Sequence, residues 1–472
     1  MSLAEIAAAV NGRVVDAEGR SEVRVTGDAF VDSRHVVEGG LFAAINGERV
    51  DGHVYAAAAF DAGAAAVLAE RPVGVPGVVV DDTVGALGLL ARHVMEQLPL
   101  VQVVGITGSQ GKTSAKDILA QLLERLGETV ATVGSFNNEI GAPLTALRVR
   151  PSTAYLVAEM GARGRGHIRE LAEMVHPSIG VVLNVGLAHV GEFGSRDEIA
   201  VAKRELVEAL SRDGLAVLNA DDERVLPMGE RTVAEVTTFG ADPGADVRIA
   251  ELRIDDEGRP CFVLAAGTDS APVALPLVGA HQAYNAAAAA AVALHLGMPF
   301  GDLIDALQGL TLRSRWRMEV TRTSQGITVI NDAYNANPDS MRAALTTLAE
   351  LGGRDGRGRC IAILGEMREL GAQSSAEHET VGRLAHAVGV AKLVVVGEGA
   401  RPILEAVADV PATDLETFWV PDAEAAIVAA QGALRPGDVV LVKASRAAGL
   451  ERVAQALTVT NETRALAMET DQ

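Results

Sequence analysis

Apolar and polar positions alternate along this chain in short blocks, and from Val101 onward the blocks fall into a regular order. The run Val101–Ile106 predicts a strand that leads through a glycine-rich turn into a helix over Ser114–Leu126. Tyr155–Met160 predicts a strand before a helix at Ile168–Val175, and Ile179–Val185 a strand before a helix at Glu198–Leu210. Leu215–Leu218 is a fourth strand. Thr232–Leu277 alternates as a β-rich insertion, and the alanine-rich stretch Ala283–Leu296 predicts a helix. Strands that alternate with helices imply a parallel sheet covered on both faces.

A second series of units begins near Arg313. Strands are expected at Ile327–Ile330, Ile361–Leu364, Leu393–Val396 and Val439–Val442. Helices are expected at Ser340–Leu351, His378–Val388 and Ala423–Leu434, with a hydrophilic loop at 354–359 and a frayed tail at 469–472. The N-terminal 98 residues differ from both series. Their apolar runs are short, a helix at Tyr55–Ala62 leads through Gly63 into a strand at Ala65–Leu68, and Pro72, Gly74, Pro76 and Gly77 make a turn-rich patch. The pattern therefore predicts an α/β protein of three domains, at 1–98, 99–313 and 314–472.

Composition narrows the class. The chain has 472 residues, of which 49% are apolar and 22% charged, as in ordinary globular proteins. Aromatics are only 3%, so the cores must be aliphatic. A net charge of −21 argues against nucleic acid and anionic membranes as partners. The longest apolar run, Ala286–Leu294, is too short to cross a bilayer, and the N-terminus has no basic segment of a signal peptide, so a cytoplasmic protein without membrane insertion is expected. Cys261 and Cys360 are too few for a disulfide framework or a zinc site and are expected to be buried. Among 41 basic residues only five are lysines: Lys112, Lys116, Lys203, Lys392 and Lys443. Such scarcity suggests that lysine is kept where arginine cannot serve.

The first strand ends in Gly105-Ile-Thr-Gly-Ser-Gln-Gly-Lys-Thr113. Glycines 105, 108 and 111 permit tight turns, and successive amides with the following helix N-terminus make an anion cradle. Lys112 supplies a point charge for the β- and γ-phosphates, and the Thr113 hydroxyl can ligate Mg²⁺. The strict phosphate-loop spacing would put glycine at 106, where Ile106 stands, so the loop is a variant. A nucleoside triphosphate is the expected ligand.

Other candidates sit at the same strand edge, where doubly wound sheets bind ligands. Glu159 closes the second strand and offers a hard oxygen to a magnesium ion. Asn184 closes the third, and His189 follows in the next loop. Lys203 has apolar helical neighbours, Ile199, Leu206 and Val207, while Arg204, Glu205 and Glu208 lie toward the other face. A lysine on a buried stripe must snorkel, pair or be modified.

With these residues in place, the chain resembles the Mur ligases, ATP-dependent amide ligases of peptidoglycan synthesis. Thr107-Gly-Ser-Gln-Gly-Lys-Thr113 is similar to their ATP signature. Ser135-Phe-Asn-Asn-Glu-Ile-Gly-Ala-Pro-Leu-Thr145, Glu159-Met-Gly-Ala162, Asn184-Val-Gly-Leu-Ala-His189, Ala202-Lys203, Asn219-Ala-Asp-Asp222, His281-Gln-Ala-Tyr-Asn285 and Arg317-Met-Glu319 follow in the family's order. Asn331-Asp-Ala-Tyr-Asn-Ala-Asn-Pro-Asp-Ser-Met341 and Leu364-Gly-Glu-Met-Arg-Glu-Leu-Gly371 resemble the branch that uses D-alanyl-D-alanine. Lys443-Ala-Ser-Arg446 departs from that branch's pattern by Ala444 in place of glycine. Asp32-Ser-Arg34 and Gly47-Glu-Arg-Val-Asp-Gly-His53 look like the family's uridine-nucleotide domain.

The resemblance implies a small N-terminal α/β uridine-nucleotide domain, a central P-loop-type parallel-sheet ATPase domain and a C-terminal Rossmann-like domain. It implies ATP on Thr107, Gly108, Ser109, Gln110, Gly111, Lys112 and Thr113, with Asn285 near the adenine, Asp332 near the ribose and Arg317 at the phosphates. Lys112, Glu159, His189 and Lys203 are the implied catalytic residues. Thr113 and Glu159 would hold one Mg²⁺, and His189 a second together with Lys203 as a carbamate. A desolvated lysine amine can lose its proton and take up CO₂, which arginine cannot. UDP-N-acetylmuramoyl-tripeptide would meet Ser33, Arg34, Asn137, Asn138 and Thr145, and D-alanyl-D-alanine would meet Asn335, Asn337, Glu366 and Ser445. A monomer is expected. The alternatives are a diamino-acid ligase acting on UDP-N-acetylmuramoyl-dipeptide and a non-catalytic nucleotide-binding scaffold. No role is evident for Lys116 or Lys392.

Overall fold

The computed structural model describes residues 1–15, 23–47, 50–352, 358–411 and 414–458. Parts of the Gly47–His53 motif and of the 354–359 loop, and all of the 469–472 tail, lie outside the described residues. Three sheets form, each an α/β layer structure, in agreement with the expected fold class.

The N-terminal sheet holds β1 (Arg13–Val15), β2 (Ala29–Phe30), β3 (Leu41–Ala43), β4 (Ala66–Ala69) and β5 (Gly77–Val79) in the order β1-β5-β4-β3-β2. Only β1 runs antiparallel to its neighbour. Two helices here went unread in the sequence. Leu3–Ala9 begins at a capping box in which Ser2 and Glu5 satisfy each other's backbone amides, and Thr83–Glu96 begins at Asp82, whose carboxylate accepts from the Val84 amide.

The central sheet holds β6 (Gln102–Thr107), β7 (Thr129–Ala131), β8 (Tyr155–Glu159), β9 (Ile179–Val182), β10 (Leu215–Asn219), β11 (Glu235–Gly240), β12 (Val247–Ile254), β13 (Pro260–Ala266) and β14 (Asp269–Ala274). The order is β14-β13-β12-β11-β10-β9-β6-β8-β7, so the β-rich stretch extends the parallel sheet as an antiparallel wing. The helix His281–His295 crosses this wing. Six of its eight alanines, Ala286 to Ala291, are each at most 3% exposed, and such small side chains let a helix axis approach its neighbours closely. The core here is aliphatic apart from Phe239 and Phe262, as the low aromatic content requires.

The third sheet holds β15 (Glu319–Arg322), β16 (Thr328–Asn331), β17 (Cys360–Gly365), β18 (Val390–Val396), β19 (Glu416–Val420) and β20 (Val439–Lys443). The order is β15-β16-β20-β17-β18-β19, and all pairs except β15–β16 are parallel. Cys360 is buried here, whereas Cys261 on β13 is only half-buried. Among the described residues no helix is long and apolar enough to cross a membrane.

Two boundaries differ from expectation for reasons that bear on the site. β9 stops at Val182, because Asn184 turns its side chain to the phosphate loop and the Val185 amide donates to Asp222 at 2.8 Å. The helix after β6 begins at Lys112, since Gly111 takes a left-handed turn (φ 81°) that starts it early.

Candidate active site

The phosphate loop is braced from below and behind. The Thr107 hydroxyl donates to the Met160 carbonyl at 3.0 Å. Asn184 Oδ1 accepts from the Ser109 and Gln110 amides, each at 3.0 Å, and its Nδ2 donates to the Gln110 carbonyl at 3.1 Å. The Ser109 hydroxyl accepts from the Gly186 amide at 2.8 Å. At the loop's end, a Cβ on Gly111 would lie 2.6 Å from Asn285 Oδ1, so only glycine allows the helix His281–His295 so close.

Ser109, Gln110, Gly111, Lys112 and Thr113 line a cavity of about 970 Å³. Glu159, His189, Lys203, Asn285, Arg317 and Asp332 line it too, although they come from both the central and third domains. The loop residues Asn137 and Asn138 and the third-domain residues Asn335 and Asn337 complete the wall.

Charge in this cavity is unevenly satisfied. Glu159 is 1% exposed; its Oε1 accepts from Asn137 Nδ2 at 2.6 Å, but its buried Oε2 has no partner. Lys112 donates to the Gly108 carbonyl at 2.7 Å. Burial pushes its pKa down, the Glu159 charge opposes that, and the Arg317 charge adds to it. Lys203 is 5% exposed and its amine has no hydrogen-bond or ion-pair partner among the described residues. Burial, and then the charge of Lys112, push its pKa well below 10.5. The stripe predicted for this helix is real: Ile199, Leu206 and Val207 are fully buried.

Models of the Mur ligase family match three stretches of the chain. The Mur ligase middle domain covers residues 106–293, the domain described as Mur ligase, glutamate ligase domain covers 316–446, and the one described as Mur ligase family, catalytic domain covers 30–94. The UDP-N-acetylmuramoyl-tripeptide--D-alanyl-D-alanine ligase of Mycobacterium bovis is 47% identical over 97% of both chains. The chain belongs to the Mur ligase family. A crystal structure of MurF from Acinetobacter baumannii superposes with a TM-score of 0.85 at 31% identity, covering 97% of this chain and 98% of that one. The MurF ligase of Thermotoga maritima, solved in complex with ADP, gives 0.78 at 30% identity, covering 93% and 99%.

This Mur ligase has the donors that its nucleotide and metal would need. The glycine cradle and loop amides suit a polyphosphate. The orphaned Glu159 Oε2 and the Thr113 hydroxyl at the helix start suit a hard cation. His189, in a left-handed conformation (φ 60°), and Lys203 line the same space.

Of the other sequence candidates, Ser33, Arg34, Thr145, Glu366 and Ser445 stand apart from the cavity. Ser33 and Arg34 lie in the N-terminal domain, where Arg34 is 83% exposed and grips Asp32 through Nη2 at 2.8 Å. Thr145 is buried, and its hydroxyl donates to the Gly141 carbonyl at 2.9 Å. Glu366 and Ser445 cluster with Arg368 past the ends of β17 and β20: Ser445 Oγ accepts from the Arg368 amide at 2.9 Å, and Glu366 Oε2 meets Arg368 Nε at 3.2 Å. Asn337 faces the cavity yet also caps the helix Pro338–Gly352, accepting from the Ser340 amide at 2.8 Å. Glu205 lies on the helix face away from Lys203, as its spacing predicts, yet it is 4% exposed, and its carboxylate accepts from the Gly166 and Arg169 amides at 2.7 and 3.1 Å, capping the helix His167–Val175.

Sequence reasoning missed residues that act across the domain junction. Asp339 Oδ2 accepts from the Leu187 amide at 2.8 Å, and Glu369 meets His189. Both stand in stretches whose resemblance was evident, but the contacts join distant segments and have no local signal. Two of the remaining lysines are also explained. Lys116, 3% exposed, donates to the Thr132 and Gly134 carbonyls at 2.7 and 3.3 Å and pairs with Asp117 at 2.6 Å. Lys392 lies 4.2 Å above the Phe418 ring and 3.8 Å from Glu416.

Proposed function

We propose that this chain is an ATP-dependent amide ligase that joins D-alanyl-D-alanine to UDP-N-acetylmuramoyl-tripeptide through an acyl phosphate, as a monomer in cytoplasmic peptidoglycan precursor synthesis. The observation that carries the reading is one cavity faced by the phosphate loop, the 135–139 loop and the third-domain residues 332–337. Such a ligation needs three components in one space: a phosphoryl donor, a carboxylate and an amine. The full-length relatives bear the name of this activity. The proposed domain limits are 1–98, 99–313 and 314–472.

In the proposed reaction, a carboxylate oxygen of the tripeptide attacks the γ-phosphorus, the bond to the bridging oxygen breaks, and ADP leaves. The amine of D-alanyl-D-alanine, having lost its ammonium proton, attacks the acyl carbon. Loss of a second proton and cleavage of the carbon–oxygen bond release phosphate and leave the amide. Lys112 and Arg317 gather the phosphates, and their mutual repulsion is relieved when an anion lies between them. Asn285 and Asp332 are assigned to the adenine and ribose.

Thr113 and Glu159 would hold one Mg²⁺, and His189 with carbamylated Lys203 a second. The ions would neutralise charge on the transferring phosphoryl group. The carbamate is supported by burial of an unpaired amine beside a second cation, since an anion at Lys203 would turn that repulsion into attraction. Asn137 orients Glu159, Asn138 Oδ1 accepts from the Gly141 amide at 3.0 Å, and Thr145 braces the same turn, and all three are assigned to the UDP-substrate. Arg34 suits the diphosphate because its pair with Asp32 is exposed and weak enough to exchange. Asn335, Asn337, Glu366 and Ser445 are assigned to the dipeptide.

Phosphate release with matched substrate pairs tests this reading. Release that requires UDP-tripeptide and D-alanyl-D-alanine together supports it. Release with UDP-dipeptide and a diamino acid favours the preceding ligase, and nucleotide binding without phosphate release under any pair favours a scaffold.

A further inference from the structure

We propose that Tyr334 is a positioning residue that aims Arg317 at the nucleotide phosphates and ties it to the 135–139 loop. The inference rests on the reading of the cavity as an ATP site.

Arg317 sits on unusual backbone. The residues on either side of it, Trp316 (φ 60°) and Met318 (φ 51°), are both left-handed, a conformation that side chains other than glycine avoid. Such strain persists only where surrounding contacts hold it. The Tyr334 amide donates to the Trp316 carbonyl at 3.2 Å, the Trp316 amide to Glu319 Oε2 at 3.1 Å, and the Met318 amide to Asp332 Oδ1 at 3.1 Å. The Arg446 guanidinium covers the Trp316 ring at 4.3 Å. The segment is thus clamped so that one side chain, Arg317, is thrown into the cavity.

What receives that side chain is the Tyr334 ring, 4.2 Å beneath the guanidinium. Among the described residues Arg317 has no carboxylate partner, and its buried Nε has no hydrogen bond. A carboxylate would cancel the charge that a phosphate needs, whereas an aromatic face orients a guanidinium and leaves its charge and its N–H groups available. The influence of Arg317 on Lys112 indicates that both cations converge on one space.

The other end of Tyr334 faces the central domain. Its hydroxyl forms a short contact with the Ser135 hydroxyl. Ser135 begins the loop whose Asn137 bonds Glu159 at 2.6 Å and whose backbone accepts from the Gly161 amide at 2.8 Å. One half-buried tyrosine therefore joins the strained segment, the third-domain loop and the loop that orients Glu159. A ring placed only for packing would not need its hydroxyl on another domain and a bare cation on its face.

The two ends can be tested apart. Tyr334→Leu removes the platform and Tyr334→Phe only the hydroxyl. Tyr334→Leu should raise the ATP KM and the Kd of a fluorescent ADP analogue about tenfold, with a thermal midpoint close to wild type. Tyr334→Phe should keep the nucleotide Kd and raise the KM of the UDP-substrate. In an Arg317→Met background, Tyr334→Leu should add no further loss of nucleotide affinity. A nucleotide Kd within twofold of wild type in Tyr334→Leu, or losses that add independently in the double variant, would overturn the proposal. A wild type that binds ADP but never releases phosphate would contradict the ligase reading instead, and the Tyr334 result would still stand on the Kd.

Discussion

Nδ1 of His189 lies 2.5 Å from Oε2 of Glu369, so a central-domain loop and a third-domain loop meet at one side-chain contact beside the cavity. The hydrogen bond from the His189 side chain, more than its charge, holds the Glu369 carboxyl below its ordinary value of 4.5. An imidazole whose Nδ1 faces a carboxylate has Nε2 left to present elsewhere. Glu369→Gln is expected to lower kcat by about 10- to 100-fold, the range seen when a residue that orients a ligand is lost. Steady-state kinetics across a Mg²⁺ titration check this; unchanged kcat and Mg²⁺ dependence would contradict it.

Backbone contact backs up that side-chain contact. The Gly191 amide donates to the Glu369 carbonyl at 3.0 Å, and a Cβ on Gly191 would lie 2.3 Å from the Gly371 nitrogen. Gly191→Ala must therefore push the two loops apart. Activity is expected to fall by at least tenfold while far-ultraviolet circular dichroism stays unchanged, because about 1.4 kcal/mol of misfit already costs that factor. Full activity in this variant would show that the contact is dispensable.

The lowered pKa of Lys203 sets a pH dependence. CO₂ reacts with the neutral amine, and a lysine pushed well below 10.5 keeps that form at lower pH than an exposed one. Enzyme stripped of CO₂ should lose activity and regain it with bicarbonate near neutral pH. Recovery should fade as the pH falls through the lowered value, where the amine is protonated. A carbamate carbon signal after ¹³C-bicarbonate is the direct check, and Lys203→Arg should show neither signal nor recovery.

Lys116 gives a prediction about stability alone. Its amine serves two carbonyls and Asp117 at the foot of the phosphate-loop helix. Lys116→Met leaves those acceptors and a carboxylate poorly solvated, a loss on the order of 3 kcal/mol. The urea midpoint should drop clearly. An unchanged midpoint would mean that water replaces the amine without cost.

How much of this was legible depended on whether the cause was local. The strand–loop–helix at 102–123 and the buried face around Lys203 follow from short spacings, and both appeared as expected. The lysine scarcity also carried information, since Lys116, Lys203, Lys392 and Lys443 are all buried. Lys443 holds Asp332 at 2.5 Å and the Asn335 carbonyl at 2.8 Å, a pairing hidden from the sequence because its partners come from another strand end. The burial of Glu205 is hidden for the same reason: helical periodicity assigns its face, but its partners are amides of a different helix. The helices Leu3–Ala9 and Thr83–Glu96 carry legible caps at Ser2 and Asp82, but their short apolar runs make a weak periodic signal. The Glu369–His189 contact arises only when the third domain meets the central one, and the Tyr334–Arg317 contact joins two separate segments of the third domain.

The central claim is that a carboxylate is activated by phosphoryl transfer and then joined to D-alanyl-D-alanine. Its most direct test uses UDP-tripeptide labelled with ¹⁸O in the terminal carboxylate, incubated with ATP and the dipeptide. The account predicts one ¹⁸O in the released phosphate for every pentapeptide formed, with ADP as the other product. Unlabelled phosphate, label in AMP, or no pentapeptide at all would contradict it.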